Sequence, residues 1–191
     1  MKAAGRVLAI ALIVILVATA CGGDDTGQAS GYSADNIGAT ASASIIGVDG
    51  APMGSASFRQ GPTGVLITVS VSDLAPGGHG IHLHAVGACS PDFKASGGHI
   101  NPSGEEGLHG LLGSGPSDSG MDHGDLPNIY AAADGEAKAE FFTTLVTVDG
   151  GTMPALLDDD GSAVVIHENP DDHVTQPIGG AGGRVGCGVV E

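Results

Sequence analysis

Gly64-Val65-Leu66-Ile67-Thr68-Val69-Ser70-Val71-Ser72 is the stretch that decides the fold class. Its β-branched residues suit a pleated backbone, and from Ile67 onward apolar and hydroxyl side chains alternate with a period of two. Such a strand buries one face. Turn residues bracket it, Gly61-Pro62 before and Pro76-Gly77-Gly78 after. The same pattern repeats outward. Residues 40–48 alternate and meet Asp49-Gly50, and residues 55–59 form a second short run. Residues 79–86 follow the Pro76 turn, and residues 128–132 and 137–142 flank Asp134-Gly135, a hairpin signal. Residues 164–166 are wholly apolar, and residues 184–190 close the chain. About eight short strands predict an all-β fold, an antiparallel Greek-key barrel or sandwich.

Composition agrees. The chain has 191 residues, a length for one domain plus targeting segments. Its 34 glycines and 10 prolines weaken helix interiors, and 41% hydrophobic residues is too many for a disordered chain. The net charge of −16 excludes nucleic-acid binding, which needs a basic patch. An acidic surface of this kind serves solubility.

Lys2 and Arg6 precede residues 7–20, where Thr19 is the sole polar side chain. That run is too short to span a bilayer, which takes about 20 residues, and suits the apolar part of a signal peptide. Ala18-Thr19-Ala20 supplies small residues for cleavage, leaving Cys21 first. Leu16-Val17-Ala18-Thr19-Ala20-Cys21-Gly22 resembles a bacterial lipobox, in which that cysteine carries lipid. The chain has three cysteines, Cys21, Cys89 and Cys187; an exported protein can pair two, and a lipid on Cys21 accounts for the odd one. The expected organisation is a signal peptide over 1–20, a polar tether over 21–37 and a domain over 38–191. The protein is then exported and held to the membrane, facing the extracytoplasmic side.

Two segments break the strand rhythm, residues 89–126 and 167–183. Long ordered loops are usually functional, and most of the eight histidines lie in or beside these two. In Gly80-Ile81-His82-Leu83-His84, residues two apart in a strand share a face, so His82 and His84 project together, away from Ile81 and Leu83. Gly97-Gly98-His99-Ile100-Asn101-Pro102 comes next, then His109, and then His123-Gly124-Asp125-Leu126-Pro127. Val165-Ile166-His167-Glu168 puts a histidine at a strand end, and Gly183-Arg184-Val185-Gly186-Cys187-Gly188 finishes the series. Imidazoles with a carboxylate on a loop suit tetrahedral zinc.

In this order and over residues 40–191, these motifs resemble the copper/zinc superoxide dismutase family. The resemblance implies copper and zinc as cofactors and superoxide as substrate. It implies copper ligands at His82, His84, His99 and His167, with His99 shared with zinc. Further zinc ligands would be His109 and Asp125. The family carries a histidine three residues before that aspartate, where this chain has Asp122, with His123 one residue later. His123 is the expected ligand, since neutral imidazole suits zinc, and Asp122 is the alternative. Asp171 resembles the carboxylate that links a copper ligand to a zinc ligand. Arg184 resembles the arginine that attracts the anionic substrate, and Cys89 and Cys187 resemble the disulfide pair. His79 is expected to bond backbone, and His173 to be a solvated loop residue.

The implied reaction passes one electron to and from copper while His99 delivers a proton, giving dioxygen and hydrogen peroxide. Two other readings are an extracytoplasmic copper-buffering protein on the same fold and a structural domain holding zinc alone. All four copper positions hold histidine, and Arg184 has no use in mere storage. Monomer and homodimer are both open.

Overall fold

The computed structural model describes Met1 and residues 36–102, 107–112 and 121–191. The expected signal peptide, most of the tether and Cys21 lie outside the described residues.

The described chain is all-β, with a short 3-10 turn at Phe93–Ser96. Its strands are β1 (Thr40–Gly47), β2 (Pro52–Gln60), β3 (Val65–Val71), β4 (Gly77–His79), β5 (Ile81–His84), β6 (Ile129–Ala131), β7 (Ala137–Thr143), β8 (Ala163–His167) and β9 (Arg184–Val189). Seven form one curled antiparallel sheet in the order β5-β8-β9-β1-β2-β3-β7, and β4 pairs with β6. The neighbours β5–β8, β9–β1 and β3–β7 are distant in sequence, as Greek-key connectivity requires.

Nine strands stand where about eight were expected, because the run at 79–86 splits at Gly80. On one side of Gly80, β4 pairs with β6; on the other, β5 pairs with β8. Gly80 itself donates to the Asn169 carbonyl at 2.9 Å and accepts from His167 N at 2.9 Å. A Cβ there would lie 3.0 Å from Ala181 Cβ and 3.4 Å from both Asp171 Cβ and His82 Cε1. The chain thus changes partner at a residue small enough to let the loop that carries Asp171 and Ala181 close in.

Alternation builds the core. Val65, Ile67, Val69 and Val71 of β3 face inward, as do Ala41, Ala43 and Ile45 of β1. They meet Phe58, Ile81, Leu83, Leu126, Ile129, Leu156 and Ile166 in one cluster. Burying each large aliphatic side chain is worth roughly 1.5–3 kcal/mol. Strands β5 and β8 are buried on both faces, because loops cover the outward face that carries His82 and His84.

The first loop is fastened from outside. Cys89 and Cys187 form a disulfide, joining the loop to β9 across 98 residues of sequence. A bridge of this kind stabilises by roughly 2–4 kcal/mol. Phe93 packs beside it on Ala163, Val165 and Cys187 in a second, smaller cluster.

Candidate metal centre

Strand periodicity puts Ile81 and Leu83 in the core and turns His82 and His84 the other way. His167 arrives from the end of β8, which pairs with β5. His99 comes from the covering loop, where it bridges to His84. One nitrogen from each of His82, His84, His99 and His167 lies within 4.8 Å of the others, and all four residues are buried.

Hydrogen bonds fix which nitrogen each ring presents. His84 Nδ1 donates to the Gly97 carbonyl at 2.9 Å, and His167 Nδ1 to the Gly182 carbonyl at 3.1 Å. His82 Nε2 donates to Asp171 Oδ2 at 2.9 Å. In each ring the proton sits on the bonded nitrogen, leaving a lone pair on the other. His82 Nδ1, His84 Nε2, His99 Nε2 and His167 Nε2 are buried with no hydrogen-bond partner. Orphaned buried polar atoms are costly. Four that converge are explained by an ion that accepts all four lone pairs, and imidazole suits copper.

Protonation of these rings is disfavoured. Burial pulls His82 and His167 down to about 4. Burial first, and then the crowding of His99 and the positive charge of Arg184, hold His84 well below the usual imidazole value. All three are therefore neutral, metal-competent imidazoles near neutral pH.

A second group joins the first through His99: His82, His99, His109 and Asp125 also place ligand atoms within 4.8 Å. His82 Nε2 is already committed to Asp171, so its free Nδ1 belongs with the first group. Asp125 Oδ1 accepts from His99 Nδ1 at 2.7 Å and from His109 Nδ1 at 3.0 Å, and its Oδ2 accepts from Gly110 N at 2.6 Å. Burial raises the Asp125 pKa, but the bonds from His109 and His99 overcome it and hold the carboxyl well below the usual range. Burial likewise lowers His109, but Asp125 and Asp171 on either side of the ring hold it at about 10. Surroundings that favour a positive charge on His109 favour a divalent cation between its Nδ1, His99 and Asp125. These donors fit zinc.

Asp171 ties the two groups together. Its Oδ2 accepts from His82 Nε2 and its Oδ1 from His109 Nε2 at 3.0 Å. One carboxylate thereby orients one ring of each group. Burial opposes its ionisation, yet the bonds from His109 and His82 hold it well below the usual carboxylate range.

His123 does not join this arrangement. Its Nδ1 lies 2.7 Å from the Leu145 carbonyl, and none of its atoms is among the converging ligand atoms of either group. The expected His123 thus stands outside both groups of converging ligand atoms. Asp122, the alternative, lies outside those groups as well, with Oδ2 3.6 Å from His99 Nδ1. His173 also departs from expectation. It folds back, with backbone φ of 61°, so that its N donates to Asp171 Oδ1 at 2.6 Å and its Nδ1 lies 3.3 Å from Asp171 Oδ2. His79 bonds backbone as expected, each ring nitrogen 2.7 Å from a carbonyl, those of Ala75 and His167.

Arg184 is held beside the first group. Its Nη1 donates to the Phe93 carbonyl at 2.7 Å and to Ser96 Oγ at 2.9 Å, and its Nη2 to the Gly97 carbonyl at 2.8 Å. A depression lined in part by Lys94, His167, Ile178 and Arg184, of about 790 Å³, opens over this corner. His167 and Arg184 both line it.

Two residues have no sequence signal for the site. Gln176 brackets His109, its Oε1 accepting from His109 N at 2.9 Å and its Nε2 donating to His109 O at 2.7 Å. Asn128 holds the backbone of Asp171 in the same way, at 2.8 and 2.7 Å. Nothing local marks either residue, since their partners lie 67 and 43 residues away. Gly179 does carry a signal, the doublet Gly179-Gly180.

A family model for copper/zinc superoxide dismutase matches residues 53–190. The chain is 49% identical over 154 residues to a protein of Caulobacter vibrioides named Cu-Zn superoxide dismutase, covering 80% of this chain and 86% of that one. A protein of the same name from Aquifex aeolicus is 38% identical over 151 residues, 78% of this chain and 86% of the other. Among solved structures, the Cu/Zn superoxide dismutase from Brucella abortus matches with TM-score 0.64 at 25% identity, over 80% of this chain and all of that one. A SOD-like protein from Bacillus subtilis matches with TM-score 0.69 at 32% identity, over 78% and 96%. Both histidine loops and β3–β9 fall inside the matched region, and on that ground the chain belongs to the copper/zinc superoxide dismutase family.

Proposed function

We propose that this protein is a superoxide dismutase of the cell envelope, exported, anchored to the membrane by lipid on Cys21, with copper and zinc as its cofactors. The observation that carries the enzymatic reading is the convergence of four buried, partnerless imidazole nitrogens beside a fixed guanidinium. His82, His84, His99 and His167 are the copper ligands in this reading, and His99, His109 and Asp125 belong to zinc. Copper, when bound, supplies a one-electron couple, and zinc supplies fixed charge without redox chemistry.

The chain's own residues do the rest. Arg184 binds and orients the superoxide anion at the mouth. His99 faces zinc-type donors with Nδ1 and the copper group with Nε2, so Nε2 is the atom that takes up a proton and passes it toward peroxide. Asp171 holds the Nε2 protons of His82 and His109, which turns Nδ1 of His82 to the copper group and Nδ1 of His109 to the zinc-type donors. Copper buffering would need the histidines but not Arg184, and the Arg184 contacts therefore favour catalysis over storage.

Cys21 and the preceding apolar run support the envelope location. Cell fractionation with a superoxide-removal assay tests it. Activity should sediment with membranes in the parent protein and become soluble in Cys21→Ser, with metal content equal. Unchanged membrane retention would reject the anchor.

A further inference from the structure

We propose that Asp122, not His123, is the fourth zinc ligand, so that this chain holds zinc with two imidazoles, His99 and His109, and two carboxylates, Asp125 and Asp122. The inference rests on the zinc assignment made above and specifies its donor set.

The two neighbours are held differently. His123 has no ligand atom among those that converge on either group, and its ring Nδ1 is bonded to the Leu145 carbonyl at 2.7 Å. Asp122 is fastened toward His99. Its Oδ1 accepts from Asn101 Nδ2 at 3.1 Å and from Gly107 N at 3.2 Å. That leaves Oδ2 directed at His99 Nδ1, 3.6 Å away. This separation is too long for a hydrogen bond. It is close to the roughly 3.3 Å between two ligands on one tetrahedral zinc whose bonds are about 2.0–2.1 Å.

Charge points the same way. Asp122 is 6% exposed and Asp125 is 3% exposed, and both carboxylates address the same His99 nitrogen. Buried like charges at one atom are costly unless a cation offsets them. A divalent ion between them does so, and the second carboxylate cancels the positive charge that one carboxylate would leave. A carboxylate oxygen is also a harder donor than an imidazole. The pocket should therefore discriminate less strongly against manganese(II) than a three-imidazole pocket does.

X-ray absorption at the zinc edge of the full chain, loaded with zinc, reads the donor set without any substitution. Two imidazoles are expected, and three would overturn the inference. Chelator competition for zinc on variants gives the second measurement. Outer-shell partners of metal ligands are already worth about 10–100-fold in affinity, so Asp122→Asn should weaken zinc at least about tenfold. His123→Ala should leave it within about threefold. Asp122→His should retain tight binding and raise the imidazole count to three, although it also loses the Asn101 and Gly107 contacts. Equal loss in Asp122→His and Asp122→Asn would make Asp122 a loop staple and overturn the ligand role. Loss in His123→Ala alone would restore His123 and overturn it too. A full chain that takes up no zinc would instead refute the underlying zinc assignment.

Discussion

Arg184 and His84 meet at one atom, the Gly97 carbonyl, which accepts from Arg184 Nη2 at 2.8 Å and from His84 Nδ1 at 2.9 Å. Anchoring this cation and a ring of the first histidine group to the same carbonyl fixes their relative position. The 3-10 turn that presents this carbonyl is itself held by the Asp92 cap, the Phe93 packing and the Cys89–Cys187 bridge.

Removing that cation should slow the enzyme moderately. A unit charge about 6 Å from the anion in a partly solvated mouth is worth about 0.7–1.4 kcal/mol at an effective dielectric of ~40–80. Arg184→Ala should therefore turn over superoxide about 3- to 10-fold more slowly at low substrate, and Arg184→Glu more slowly still. Distant acids are screened beyond roughly 8 Å at physiological salt, so the near charge dominates. Added salt should slow the parent more than Arg184→Ala. Pulse-radiolysis rates at matched copper content check this, and an Arg184→Glu variant as fast as the parent would refute the guiding role.

Gly179 leaves Asp171 its room. A Cβ at Gly179 would lie 1.6 Å from Asp171 Oδ1 and 2.9 Å from His109 Nε2. Gly180 next door has the same positive φ, 69° against 61°, but open space where its Cβ would be. Gly179→Ala must displace the carboxylate that joins the two groups, while Gly180→Ala carries matched backbone strain alone. Metal retained after dialysis against a chelator should show zinc affinity reduced about tenfold or more in Gly179→Ala and near parental in Gly180→Ala. Equal retention in both variants would count against Asp171 as the link.

The pH dependence of the metal-stripped chain follows from two opposed sets of rings. His82 and His167 have folded values of about 4, below the ordinary value near 6.5. Between those limits the unfolded chain binds more protons, so stability falls as pH drops from about 6.5 to about 4. His109 is raised to about 10. Its contribution is complete below about 6.5 and is lost as pH rises through 10. Guanidinium midpoints of the stripped chain should be highest near pH ~6.5 and lower at ~4.5 and ~9.5. A midpoint at ~4.5 above that at ~6.5 would contradict the burial of His82 and His167 as neutral rings.

Local regularity explains what could be read from the chain. In β3 each buried residue alternates with a more exposed one, so residues 65–71 announced their own strand and its inner face. The same period of two put His82 and His84 on one side, because a strand's geometry depends on nothing distant. The split at Gly80 was not visible, since it depends on β6 and β8 taking different halves of one run. Loops have no period, so the surroundings of Asp122 and His123 depend on contacts made far along the chain, such as Asn101 to Asp122 and Leu145 to His123. The turn of His173 back onto Asp171 was not visible for the same reason: it is set by contacts that no short motif encodes.

Superoxide decay by the full chain in three metal states tests the central claim most directly: loaded with copper and zinc, loaded with zinc alone, and His167→Ala offered both metals. The copper- and zinc-loaded chain should remove superoxide rapidly. The zinc-only chain and His167→Ala should not exceed the uncatalysed background, while retaining zinc and the Cys89–Cys187 bridge. Removal by the zinc-only chain at the rate of the fully loaded one would contradict the account.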